Sequence, residues 1–214
     1  MNVIASNLDT ILQGILVTLE LSAVCITGAG IIGLIVGVMR ISPVGALQRL
    51  AIFYIEVLRS TPIPVILVII FFALPDVGIS LSPFVSASVG LSMYMASYVA
   101  EAVRSGVNAV AVGHIEAARA MGLTQFDVLR YIVLPQAVRS VIPTLGNLSV
   151  DLIKDTSIAT TISVMEITGT ASALISKFAQ PIPIFLTAAV CYLVLTVPTS
   201  IVFRRLEKAH RIIR

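Results

Sequence analysis

Apolar residues in this chain come in long blocks, without the strict alternation of a half-buried strand. Residues 11–39 are interrupted only by Gln13, Thr18, Glu20, Ser22 and Thr27 among polar side chains. A block of that length exceeds the ~20 helical residues that cross a bilayer core. A second block, 50–75, is broken just before its midpoint by Thr61-Pro62-Ile63-Pro64. Proline removes a backbone donor and clashes with the preceding turn. Broken backbone at membrane depth survives only where protein or a cavity surrounds it, so this break is expected to face the protein interior. The third block, 84–107, ends with Glu101 and Arg104 three apart on one helical face. The fourth, 132–162, contains Pro135, Pro143 and the polar cluster DLIKDTS at 151–157, and the fifth is 181–203. Between them, 166–180 is weaker and rich in Gly, Ala, Ser and Thr, as expected of a short helix at the far interface. The pattern predicts an all-α membrane protein of five transmembrane helices in a single domain, 1–214, with no internal repeat. A transmembrane β-barrel would instead alternate in segments of about ten residues.

Composition agrees. Of the 214 residues, 57% are hydrophobic and 12% charged, against roughly 25% charged in a soluble domain. The net charge of +3 does not point to nucleic acid, because Arg204, Arg205, Lys208, Arg211 and Arg214 all follow the last apolar block. That is where a cytoplasmic tail carries positive charge beside anionic lipid. Arg40, Arg49, Arg104, Arg119, Arg130 and Arg139 fall on the same side, leaving Lys177 and, near the far face, Lys154 opposite. This asymmetry predicts an outside N-terminus and a cytoplasmic C-terminus. The first ten residues lack Lys and Arg, so the first block reads as a retained helix and not as a cleaved signal.

Reactive side chains are few. Cys25 and Cys191 lie in apolar blocks and read as small packing residues. His114 and His210 have no partner at ligand spacing, and no metal site or phosphate-binding loop is expected. The informative residues are ionisable ones at membrane depth, which cost about 2.5–3.5 kcal/mol each even on insertion scales. Glu56, Arg59, Glu101 and Arg104 are candidates for structural ion pairs. Asp151, Lys154 and Asp155, with Thr156 and Ser157, suit either internal packing or a lining for a zwitterionic solute. Glu20 is a further pathway candidate, and Thr61 and Pro62 read as pathway-lining or gate-shaping.

One stretch is amphipathic where its neighbours are oily: residues 113–135, containing IEAARAMGLTQFDVLRYIVLP. Ala117, Ala118, Met121 and Leu123 recur at helical spacing, while Glu116 and Arg119 fall on other faces. Gly122 is expected to end a first helix, Thr124 to cap a second, and Pro135 to close the element at the membrane. By its residues alone the element is either a surface connector or a helix pair shaped for a partner's groove. Glu116-Ala117-Ala118, Gly122, Ile132, Leu134 and Pro135 match, without departure, the signature of permeases of ATP-binding-cassette importers. GILVTLELS at 14–22, YIEVLRSTPIPVIL at 54–67, YVAEAVRSGVNAV at 98–110, LPQAVR at 134–139 and LGNLSVDLIKDTSI at 145–158 resemble the polar amino acid uptake branch of that superfamily.

The resemblance implies a type I importer permease fold in a bacterial cytoplasmic (inner) membrane. It implies a second permease subunit, identical or homologous, and two cytoplasmic ATPase subunits that use ATP and Mg. It further implies an extracytoplasmic solute-binding protein and an amino acid substrate. Glu116, Ala117, Ala118, Gly122, Leu134 and Pro135 would couple the permease to the ATPase, and this chain would bind no cofactor of its own. The alternative, a stand-alone secondary transporter or channel for a small polar solute, leaves the signature without a use. A membrane enzyme finds no support among the His, Cys and Ser residues.

Overall fold

The structure is a computed structural model that describes residues 3–210. A short helix, α1 (Val3–Ser6), precedes α2 (Leu8–Ile41). The 34 residues of α2 extend roughly 50 Å at 1.5 Å per residue. α5 (Pro83–Asn108) is the central helix and packs against α2 along much of its length. That approach depends on small residues. A Cβ added at Gly33 would sit 2.5 Å from Val99 Cβ and 2.9 Å from the Ala96 carbonyl oxygen, and a backbone atom cannot swing aside. Gly33→Val is therefore expected to destabilise the helix pair by about 1–3 kcal/mol, the usual cost of overpacking. Thermal unfolding in detergent measures this, and an unchanged midpoint would show that α2 and α5 do not depend on this contact.

α3 (Gly45–Ser60) and α4 (Ile63–Val68) flank the break expected at Thr61–Pro64. The chain bends there by 104°. α4 packs on α5 and on the turn Thr156–Ile162, but at the break itself only Ile63 is buried; Thr61 is half-buried and Pro62 and Pro64 are exposed, so the expected inward-facing break is only partly covered. Beyond α4 the helix widens into a π turn, Ile69–Ala73, and then tightens over Leu74–Val77. A second π turn, Val128–Val133, joins the short helix α7 (Gln125–Asp127) to α8 (Leu134–Asp155). Each π turn comes just before a proline, Pro75 or Pro135. The carbonyl four residues before each proline, on Phe71 and Tyr131, lies in the widened turn. The wider turn keeps that carbonyl clear of the pyrrolidine ring and drops the bond the ring cannot donate. The helical path expected to stop at Pro135 thus runs through it into α8.

Only α2 and α10 (Pro181–His210) are, among the described residues, singly long and apolar enough to cross a membrane. Their outer faces show bare hydrocarbon, with Leu16, Ile31, Leu186 and Val194 all more than half exposed. α5 is the element expected as the third span, yet it carries Ser86, Ser88, Ser92, Ser97, Glu101 and Arg104 and falls outside that pair. Burial and bonds to its own backbone accommodate part of that polarity. The four serines are buried, and Ser88 donates to the Phe84 carbonyl at 2.8 Å.

α9 (Ile167–Phe178) fills the stretch expected to hold a short helix, whereas the end of the fourth expected span, Thr156–Ile162, is a 3-10 turn that follows α8. One core cluster, including Leu21, Leu67, Leu91, Met95, Leu152 and Ile162, ties α2, α4, α5, α8 and the 3-10 turn together. Cys25 belongs to it and Cys191 is buried in α10, both as free thiols. Of the basic tail, Arg204, Arg205 and Lys208 are exposed on α10; Arg211 and Arg214 lie outside the described residues.

Candidate functional site

The amphipathic stretch folds as the sequence suggests up to Thr124. α6 (Val112–Ala120) ends in a Schellman motif. Gly122 adopts φ 83°, its N–H donates to the Arg119 carbonyl at 3.0 Å, and the Leu123 N–H donates to the Ala118 carbonyl at 3.2 Å. Thr124 then caps α7 reciprocally with Asp127, each side chain accepting the other's backbone N–H at 3.2 Å. Ala118, Val128 and Val133 pack inward with Val110, flanked by Ile115, Leu123 and Ile132. A 3.2 Å hydrogen bond between His114 and Gln136 adds a polar tie to α8.

The stripe expected to be apolar is therefore divided. Ala118 is buried and Leu123 half-buried, whereas Glu116, Ala117, Met121, Leu134 and Pro135 are exposed. Met121 is 72% and Phe126 66% exposed, and nothing lies within 4 Å of the position a Cβ would take on Gly122. The element is a rigid corner with one face spent internally and the other, partly apolar, left open.

A second feature lies between α5 and α8. Tyr94, Met95 and Tyr98 form one wall of an open cleft of about 740 Å³; Leu148, Asp151, Lys154 and Asp155 form the other. Lys154 Nζ lies 2.7 Å from Asp151 Oδ1. The Tyr94 and Tyr98 hydroxyls are hydrogen-bonded at 3.0 Å, and the Arg59 guanidinium sits 4.9 Å from the centre of the Tyr98 ring, within cation–π range.

The cleft unites Asp151, Lys154 and Asp155 from the expected pathway group and leaves the others elsewhere. Thr156 is fully buried, donating to the Ile153 carbonyl at 2.8 Å, and Ser157 is half-buried outside the lining. Glu20 is exposed on α2 and does not line the cleft. Thr61 donates to the Val57 carbonyl at 2.7 Å, and Pro62 caps α4. Of the two expected ion pairs, Glu101–Arg104 is present, with Arg104 Nε donating to Glu101 Oε1 at 2.7 Å. Arg59 turns to the Tyr98 ring in place of Glu56.

Sequence reasoning gave no role to Glu166, which is completely buried. Its Oε1 accepts from Thr160 Oγ1 at 2.6 Å and Gly169 N at 2.8 Å. Its Oε2 accepts from Tyr192 Oη at 2.6 Å and Thr168 N at 3.0 Å. One carboxyl group thus ties the 3-10 turn, the N-terminus of α9 and α10. Beside it, Thr18 of α2 accepts from Ile167 N at 3.2 Å. The available signal was a lone acid between Met165 and Ile167, since a buried carboxyl demands donors close in the fold.

Residues 29–212 match the family described as the binding-protein-dependent transport system inner membrane component. The chain belongs to this family. Curated relatives agree over nearly the whole length. The probable glutamine ABC transporter permease protein GlnM of Bacillus subtilis is 34% identical over 207 residues, covering 97% of this chain and 96% of the relative. The glutamine transport system permease protein GlnP of Escherichia coli K12 is 35% identical over 205 residues, covering 95% and 94%.

Among solved structures, an amino acid ABC transporter crystallised with histidines superposes with a TM-score of 0.92 at 29% identity, covering 96% of both chains. An inward-facing MetNI methionine transporter shares the fold at a TM-score of 0.81 and 23% identity, covering 97% of this chain and 99% of that one. This family member is accordingly a permease subunit of an ATP-driven importer, and a partner ATPase carries out the hydrolysis. A subunit of this kind works with a second permease, an ATPase and a binding protein.

Proposed function

We propose that this permease imports a polar amino acid of the glutamine type. In this reading it pairs with an identical or homologous permease above two cytoplasmic ATPase subunits that use ATP and Mg, and receives its substrate from an extracytoplasmic binding protein. The observation that carries the reading is the cleft between α5 and α8, where Asp155, the Asp151–Lys154 pair and two tyrosine hydroxyls share one open space. A zwitterion needs both an acceptor for its ammonium and a cation for its carboxylate, and a side-chain amide needs hydroxyl partners. The glutamine permeases among the relatives support the choice of side chain.

Coupling runs through the 113–135 corner, with Glu116, Ala117, Gly122, Leu134 and Pro135 presented to the ATPase and Ala118 setting the shape from inside. The topology that fits is N-terminus outside and C-terminus cytoplasmic in a bacterial inner membrane, because it puts that corner and the basic end of α10 on the ATPase side. Vesicles holding the permease, its ATPase and the binding protein are expected to accumulate labelled glutamine when ATP is supplied, with unlabelled polar amino acids competing. Absence of ATP-dependent uptake of any polar amino acid would sink the proposal.

A further inference from the structure

Charge around the cleft is balanced, and the balance depends on the Asp151–Lys154 pair. In its lining Asp151 and Asp155 supply two carboxylates and Lys154 an ammonium; Arg59 is outside the lining, its guanidinium 4.9 Å from the centre of the Tyr98 ring. With these groups ionised and Arg59 counted, the cleft and its surround carry no net charge. Lys154 and Asp151 lie three apart on α8, with side chains 55% and 53% exposed, so their pair stands in the open cleft and not in the core. An exposed helical pair of this kind contributes little to stability. Its charges nevertheless act on whatever enters, because the surrounding walls are low in dielectric.

We infer that the Asp151–Lys154 pair is the charge filter of the cleft, with Lys154 rejecting cationic amino acids and Asp151 rejecting anionic ones. The inference rests on the cleft being the substrate path, as proposed above. A neutral amino acid is a zwitterion of zero net charge and meets a neutral cleft without a surplus on either side. A cationic amino acid brings one extra positive charge, and Lys154 both repels it and occupies the carboxylate that would receive it. Without Lys154 the cleft is left with a surplus negative charge. Without Asp151 it is left with a surplus positive one.

The test is equilibrium binding of labelled glutamine, arginine and glutamate to the purified permease–ATPase complex. Omitting the binding protein leaves the cleft as the selecting site. Lys154→Met is expected to raise affinity for arginine relative to glutamine by about tenfold or more, the scale of one unit charge at close range in a partly wet site. Asp151→Asn is expected to raise the glutamate-to-glutamine ratio in the same way. The double variant, neutral again, is expected to return both ratios close to the starting values.

A pair that only braces α8 would shift affinity for all three ligands together, and that result overturns the inference. So does unchanged selectivity in the single variants. If Lys154→Met does not accumulate, Asp151→Asn and the double variant still decide, because a filter requires ratios to move in one and to recover in the other. Wild-type complex that binds no amino acid, while ATP-driven glutamine uptake proceeds with the binding protein present, removes the filter and leaves the transport function standing. Absence of uptake itself removes the function.

Discussion

Gly122→Glu is expected to reduce transport and substrate-stimulated ATP hydrolysis at least about tenfold while leaving the permease folded in the membrane. Two effects add. A non-glycine residue at φ 83° is held in the left-handed region at a cost of about 1–2 kcal/mol. The new side chain also projects into space that is empty within this subunit, since no atom lies within 4 Å of the Cβ position. Any clash must therefore come from a partner. Gly122→Ala separates the two effects, because it carries the same backbone cost with a single methyl group and is expected to retain most of its coupling. The measurement is ATP hydrolysis by the reconstituted complex with and without loaded binding protein. Equal activity in the glutamate and alanine variants would mean that nothing docks over Gly122. Glu116→Lys supplies an independent check, as it reverses an exposed charge on the same corner without touching the backbone.

The largest stability effect is expected at Glu166. Its carboxyl group is completely buried and accepts four hydrogen bonds, from Thr160, Thr168, Gly169 and Tyr192. Glu166→Ala strands the Thr160 hydroxyl and the Thr168 and Gly169 N–H groups, while the Tyr192 hydroxyl keeps the Thr168 hydroxyl at 2.9 Å. Each stranded group costs about 1–3 kcal/mol, so a loss of about 3 kcal/mol or more is expected, read as a fall in the thermal midpoint and in the amount of protein recovered in detergent. Tyr192→Phe removes one donor and is expected to cost only about 1 kcal/mol. Glu166→Gln falls between, because its amide nitrogen cannot accept from the backbone N–H groups. Wild-type stability in the alanine variant would rule out Glu166 as the tie between α9, α10 and the 3-10 turn.

Local features were legible in proportion to how local their causes are. The break at Thr61–Pro64, the left-handed Gly122 and the Thr124 cap each follow from the chemistry of one or two residues, and the structure contains all three. Pro135 was misjudged because its cost can be absorbed: a π turn upstream moves the Tyr131 carbonyl aside, and neighbouring helices hold the wider turn in place. α5 was counted as a span by its length, but its serines and its Glu101–Arg104 pair are tolerable because four other helices surround it. The pairing of Arg59 with Tyr98 was not legible either, since Glu56 is nearer in sequence and only the approach of α3 to α5 brings the ring within reach.

For this protein, the sequence by itself determined the membrane solvent, the helical class and the family, through apolar run length and one spaced signature. Those properties need no knowledge of which helix touches which. Tertiary structure alone decided which of the polar residues share a cleft, which face of the 113–135 corner is left open, and where Glu166 finds its four donors. Hydrogen bonds and charge pairs act over a few ångströms, and the residues that satisfy Glu166 lie up to 26 positions away along the chain. Only the packed helices bring them within that range.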